Sequence, residues 1–161
     1  MNDRIYNVLF LCTGNSARSI MAEAVLNVLG AGRFQAFSAG SHPGGTVQPM
    51  AAELAQSMGY PIEKMRSKSW DEFAVDGAPE MDMVITVCDN AAGEACPVWP
   101  GEPAVAHWGV PDPARSPDDP KAFKEAWLIL RRRIELLLAL PLDKLDQLAR
   151  QQQLRKIGLE S

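Results

Sequence analysis

The sequence predicts an α/β domain built on a parallel sheet. Short, strongly apolar runs alternate with stretches of helical apolar spacing, the pattern of strands joined by crossover helices. Glycine and proline punctuate these segments at their ends. The chain has 161 residues, the length of one domain with a core of its own.

The elements follow in order. Asn7 to Leu11 reads as a buried strand and Ser19 to Leu29 as the first helix, stopped by Gly30-Ala31-Gly32. Phe34 to Ala39 is a second strand, broken by Gly40, and His42-Pro43-Gly44-Gly45 is a loop. Pro49 to Met58 is a second helix, with Pro49 in its first turn and Gly59 as its stop. Ser67 to Phe73 has the makings of a short helical segment. Met83 to Val87 and Ala104 to Trp108 are the third and fourth strands. Ser116-Pro117-Asp118-Asp119 caps a long helix that runs to about Leu140 and ends at Pro141. A last amphipathic helix spans Leu142 to Ile157, with Leu142, Leu145, Leu148 and Leu154 on one side. Residues 1–161 thus read as a single domain with 142–161 as an appended C-terminal helix.

Composition narrows the function classes. Hydrophobic residues make up 47% and charged residues 22%, ordinary for a globular protein. A net charge of −4 argues against nucleic acid as a partner. No apolar run approaches the ~20 residues that span a bilayer, and no export signal is visible, so no membrane role and a cytoplasmic location are expected. Residues 121–161 carry 9 basic and 5 acidic side chains. Arg131, Arg132 and Arg133 fan around their helix there and read as a solvated face. Three cysteines in a reduced compartment point to catalysis or redox chemistry rather than to a disulfide framework.

The chemistry centres on Cys12-Thr13-Gly14-Asn15-Ser16-Ala17-Arg18, a tight strand-to-helix loop with a cysteine at one end and an arginine at the other. Small and polar residues let the backbone N–H groups of 13–17 turn inward, and the helix N-terminus adds partial positive charge. Arg18 closes the ring with a planar fork suited to a tetrahedral oxyanion. The same field favours the thiolate of Cys12, the nucleophilic form. Cys88 follows the third strand and Cys96 lies eight residues later, the two bounding a small, polar, glycine-containing segment. In a parallel sheet the ends of the first and third strands can be neighbours, which would bring Cys88 to Cys12. Three cysteines placed this way suit a relay of electrons. Cys88 and Cys96 lack metal-ligand spacing, and His42 and His107 are far off in sequence, so neither a zinc site nor any other metal is expected.

These residues resemble a known family. Val8 to Ser19 is similar to the phosphate loop of the low-molecular-weight protein tyrosine phosphatase superfamily. Phe37-Ser38-Ala39-Gly40, Val84 to Asp89 and His107 to Ala114 resemble its arsenate reductase branch. The resemblance runs from about residue 5 to about residue 140. It implies a four-stranded parallel sheet with helices on both faces, a flavodoxin-like arrangement, and a loop at the carboxyl end of the first strand. It also implies the relay. Cys12 attacks arsenate, Cys88 releases arsenite by forming Cys12–Cys88, and Cys96 ends the sequence as Cys88–Cys96. An external dithiol, thioredoxin or another thiol reductant, reduces that bond. Phosphate and sulfate are the expected mimics of arsenate, and no cofactor is implied.

Asp112-Pro113 resembles the family's general-acid loop, with Asp112 protonating the leaving oxygen. The phosphatase branch usually follows it with aromatic residues, but here Ala114-Arg115-Ser116 follow. That departure favours a small inorganic oxyanion over an aromatic ester. Asn15 is expected to hold the loop, in a left-handed backbone state. Ser19 is expected to donate to the Cys12 thiolate, and Ser16 to contact the oxyanion. Some arsenate reductases bind potassium through residues matching Asn15, Glu23 and Ser38. Here Lys68, in Arg66-Ser67-Lys68-Ser69, is expected to put its ammonium in the place of the ion. Two alternatives stay open at this point: a tyrosine phosphatase, and an oxyanion- or arsenite-binding sensor whose cysteines only ligate.

Overall fold

The computed structural model describes residues 5–15, 17–75, 77–87, 103–111, 113 and 119–159. Strands β1 (Tyr6–Leu11), β2 (Phe34–Ala39), β3 (Met83–Thr86) and β4 (Ala104–His107) form one parallel sheet in the order β2-β1-β3-β4. Helices α1 (Arg18–Leu29), α2 (Pro49–Ser57), α3 (Pro120–Leu138) and α4 (Gln147–Leu159) connect and flank it. Each predicted strand forms within a residue of its expected bounds.

The central strand explains its own sequence. β1 pairs with β2 on one edge and β3 on the other, and packed clusters cover both of its faces, so Val8, Leu9, Phe10 and Leu11 are all buried. On one face, Phe10 and Ile85 pack with Met21 and Val25 of α1 and with Phe123, Trp127, Leu130 and Ile134 of α3. On the other, Leu9, Leu11 and Val84 meet Phe73 and Met81, from a 3-10 turn at Trp70–Phe73 and the segment after it. A third cluster, including Ile20, Ala24, Ala55, Tyr60 and Met65, fills the space between α1 and α2. The N-cap of α3 is Asp119, whose carboxylate accepts from the Lys121 N–H (3.0 Å), with Pro120 in the first turn.

The C-terminal segment departs from expectation. The single helix predicted over Leu142 to Ile157 is a 3-10 turn at Leu142–Lys144 followed by α4 from Gln147. Leu142, Leu154 and Ile157 are buried, but Leu148 is 64% exposed. The reason is that α4 docks along the edge strand β4. Gln151 Oε1 accepts from the Val105 N–H (3.0 Å), and Arg155 Nε donates to the Val105 carbonyl (3.3 Å). Trp108 Nε1 donates to the Leu154 carbonyl (2.9 Å). A Cβ on Gly158 would lie 2.2 Å from the His107 carbonyl, so only glycine permits this approach. Side chains of α4 thereby occupy Val105 backbone groups that a bare sheet edge would offer to another chain. Among the described residues no helix is long and apolar enough to cross a membrane.

Candidate functional site

The loop after β1 is held from outside. Cys12, buried at its base, donates its N–H to the Ala39 carbonyl (3.1 Å). The Thr13 carbonyl accepts from the His42 N–H (2.9 Å). The Gly14 carbonyl accepts from the Gly44 N–H (3.1 Å) and from Ser67 Oγ (3.1 Å). In a planar trans peptide the next N–H points opposite to the carbonyl. Tying these carbonyls outward therefore turns the N–H groups of Gly14 and Asn15 away from that segment, toward the inside of the loop. Asn15 has φ of 44°, the left-handed state expected of it. Its amide fixes that strained turn, with Nδ2 donating to Ser19 Oγ (2.8 Å) and Oδ1 accepting from the Lys68 N–H (2.8 Å).

α1 opens at the far end of the loop. Its N-cap, Ala17, supplies no side-chain cap, and no acidic residue stands in the first turn. No side chain of the first turn therefore opposes an anion at the positive end of the helix dipole. Arg18 is the first helical residue, and its Nη1 donates to the Val110 carbonyl (2.9 Å). Cys12, Thr13, Gly14, Asn15, Ala17, Arg18 and Ser19 come together around one concave loop. Ser16, Cys88, Cys96 and Asp112 lie outside the described residues. The described chain does bring Val87, which precedes Cys88, and Val110, two residues before Asp112, to the end of β1. The Val87 N–H donates to the Leu11 carbonyl (2.8 Å), and the Val110 N–H donates to the Val87 carbonyl (3.0 Å).

Gly40 passes beneath the loop. A Cβ there would lie 2.5 Å from the Thr13 carbonyl, 2.8 Å from the Cys12 carbonyl and 3.0 Å from the Asn15 nitrogen. All three are backbone atoms of the loop and cannot yield cheaply. Gly40→Ala should therefore displace the loop, costing about 1–3 kcal/mol of stability and at least roughly tenfold in turnover. Thermal unfolding with an aryl phosphate assay checks this. An alanine variant of unaltered activity would mean that the loop tolerates the shift.

Behind the loop lies a buried polar network. Glu23 Oε1 accepts from Ser38 Oγ (2.7 Å), and Glu23 Oε2 accepts from the Tyr60 hydroxyl. Lys68, 8% exposed, places Nζ 3.8 Å from Glu23 Oε1, 3.4 Å from Ser38 Oγ and 3.0 Å from the Arg66 carbonyl. Burial pushes the Lys68 ammonium below the usual lysine range, with Glu23 opposing. Burial and the Glu23 charge hold the Tyr60 phenol above its ordinary value. The ammonium therefore stands where the sequence reading put it. Asn15 Oδ1 is committed to a backbone N–H, and a cation sits beside the carboxylate, so these residues do not fit a resident potassium ion. Among the described residues no group of three or more histidine, cysteine or acidic side chains is placed to hold a metal.

The sequence reading missed three contributors. Tyr60 reaches Glu23 from 37 positions away, and no local signal announces it. Gly40 reads in the sequence as a strand end and as the close of the segment 37–40, with no sign of its approach to the loop. Arg133 was grouped with a solvated face, but Arg131 and Arg132 alone are exposed, whereas Arg133 is buried and its Nη1 donates to the Gly109 carbonyl (2.8 Å). The signal for it lay in the apolar residues at Ala126, Leu130, Ile134 and Leu137, which share its helix face.

Comparison with known proteins agrees with this geometry. The family model "Low molecular weight phosphotyrosine protein phosphatase" matches residues 7–154. An arsenate reductase of Halalkalibacterium halodurans is 34% identical over 132 residues, covering 82% of this chain and 88% of that protein. The solved arsenate reductase of Archaeoglobus fulgidus superimposes with a TM-score of 0.66 at 29% identity, covering 83% of this chain and 99% of that one. A low molecular weight protein tyrosine phosphatase of T. tengcongensis superimposes with a TM-score of 0.65 at 27% identity, over 83% of this chain and 97% of that one.

Proposed function

The chain belongs to the low molecular weight phosphotyrosine protein phosphatase family, and within it we propose that this protein is an arsenate reductase working by a cysteine relay. The observation that carries the relay is the junction of two strand ends. The Val87 N–H bonds the Leu11 carbonyl, and Cys88 and Cys12 are the next residues of their respective chains. This pairing of the two strand ends supports a relay in which the residue after Val87 attacks an adduct on the residue after Leu11.

Arsenate enters the loop, where the backbone N–H groups of 13–17, the Ser16 side chain and the Arg18 fork are to hold it. Asn15 engages the Ser19 oxygen, leaving the Ser19 proton to stabilise the Cys12 thiolate. That thiolate attacks arsenic, and the departing hydroxide takes a proton from Asp112 and leaves as water. The Cys88 thiolate then attacks Cys12 Sγ. The Cys12–Cys88 disulfide forms, the arsenic–sulfur electron pair passes to arsenic, and As(V) leaves as As(III), arsenite. Cys96 attacks Cys88, freeing Cys12 and forming Cys88–Cys96, which thioredoxin or another thiol reductant reopens. The site residues, the reductant and a cytoplasmic setting are parts of this proposal.

The phosphatase reading uses the same loop and acid but neither Cys88 nor Cys96. Ala114-Arg115-Ser116, in place of aromatic residues, weighs against it. A binding-only sensor has no use for Asp112. The test compares arsenite formation with aryl phosphate hydrolysis. Cys88→Ser and Cys96→Ser should lose arsenate turnover and keep slow ester hydrolysis. Mass spectrometry of arsenate-treated Cys96→Ser should find Cys12 linked to Cys88. Wild-type hydrolysis of the ester without arsenite formation under any dithiol would make the protein a phosphatase. Turnover of Cys96→Ser at the wild-type rate would remove the third step, and absence of both reactions in the wild-type protein would leave only the sensor.

A further inference from the structure

Arg133 is the one charged residue on the buried face of α3, among Phe123, Ala126, Trp127, Leu130, Ile134 and Leu137. An apolar side chain would fill that position without the cost of burying a guanidinium. Burial alone draws its pKa below the usual arginine range, and the group nonetheless stays cationic at neutral pH. Among the described residues its Nη1 donates to the Gly109 carbonyl at 2.8 Å. The next carbonyl, that of Val110, is held by Arg18 Nη1 at 2.9 Å. Two guanidinium groups, one from α3 and one from the first residue of α1, thus grip consecutive carbonyls of one short segment. The same segment is tied to the sheet by the Trp108 N–H on the Thr86 carbonyl (2.7 Å) and by the Val110 N–H on Val87.

The arrangement matters because an arginine fork has few fixed directions. With Nη1 on the Val110 carbonyl, the position of that carbonyl sets the plane of the Arg18 guanidinium. If the Gly109–Val110 peptide shifts, the Val110 carbonyl of the adjoining peptide shifts with it, and so does the Arg18 plane. We propose that Arg133 is a positioning residue, which holds the Gly109–Val110 segment so that the Val110 carbonyl orients the Arg18 guanidinium for oxyanion binding. The proposal rests on the reading of residues 12–18 as the oxyanion site. It makes Arg133 a determinant of anion affinity although it touches no anion.

The experiment uses inorganic phosphate as the probe and isothermal titration as the readout, so arsenate reduction does not enter. Arg133→Met should weaken phosphate binding roughly tenfold, the loss expected of one charge-assisted hydrogen bond. Arg133→Lys keeps the charge without the fork and is the better tolerated variant. It should weaken binding about threefold on the wild-type background and add nothing on an Arg18→Lys background, since the effect passes through Arg18. A merely structural role would give equal losses on both backgrounds, and that result would overturn the proposal. Folded Arg133→Met that binds phosphate like wild type would overturn it too, and leave the oxyanion site intact. Wild-type protein with no affinity for phosphate would overturn the site and the proposal together.

Discussion

Cys12→Ser should abolish arsenate reduction and aryl phosphate hydrolysis alike. Cys12 sits buried at the base of a loop whose carbonyls are tied outward and whose helix end carries neither a side-chain cap nor an acid. That surrounding is a positive field with no counter-anion built into its first turn, the setting in which a thiol is held as thiolate. A serine hydroxyl in the same place stays protonated and is a far poorer nucleophile. Loss of a covalent nucleophile costs on the order of 10⁴-fold or more in kcat. The binding loop itself is untouched, so phosphate affinity measured by titration should persist. Measurable turnover of purified Cys12→Ser in either assay would take the nucleophile's role away from Cys12. Loss of phosphate affinity together with activity would point to a collapsed loop instead.

Much of this site is legible in sequence because it is local. A buried strand, a small polar loop and a helix lie within residues 6–29, and each is specified by its own residues. Asn15 in a left-handed turn follows from its residue type and its place in that loop. Lys68 was readable because its partners, Glu23 and Ser38, could be named on the resemblance. The rest depends on contacts between distant segments. Gly40 looks like any strand terminator until the Thr13 carbonyl is found against it. Leu148 keeps the helical spacing of a core residue, yet α4 meets an edge strand and not a sheet face, so its buried stripe shifts to Leu154 and Ile157. Three consecutive arginines at about 100° apart cannot all face solvent on a helix packed over a sheet. Their charge reads as surface, but the apolar neighbours of Arg133 decide otherwise.

Lys68→Met should be the most destabilising single change outside the core. It removes the cation from beside Glu23, a buried carboxylate left with two hydroxyl donors, Ser38 and Tyr60. Breaking one half of a buried ion pair costs about 3–5 kcal/mol, because the remaining charge stays desolvated. The damage spreads forward, since the backbone N–H of Lys68 holds Asn15 and Asn15 holds the left-handed turn. Potassium, but not a bulky ammonium salt at equal ionic strength, should restore part of the lost Tm in Lys68→Met and do little for wild type. The pH dependence has a definite sign. Burial lowers the folded-state pKa of Lys68, whereas the unfolded lysine keeps its proton to about pH 10.4. Between those values the unfolded chain binds more protons, so this group makes folding stability rise with pH and fall as pH drops through the folded pKa. The Tm gap between wild type and Lys68→Met should therefore widen from neutral pH toward pH 10. Equal Tm values for the two proteins, or an equal response to potassium, would show that Lys68 does not brace the loop.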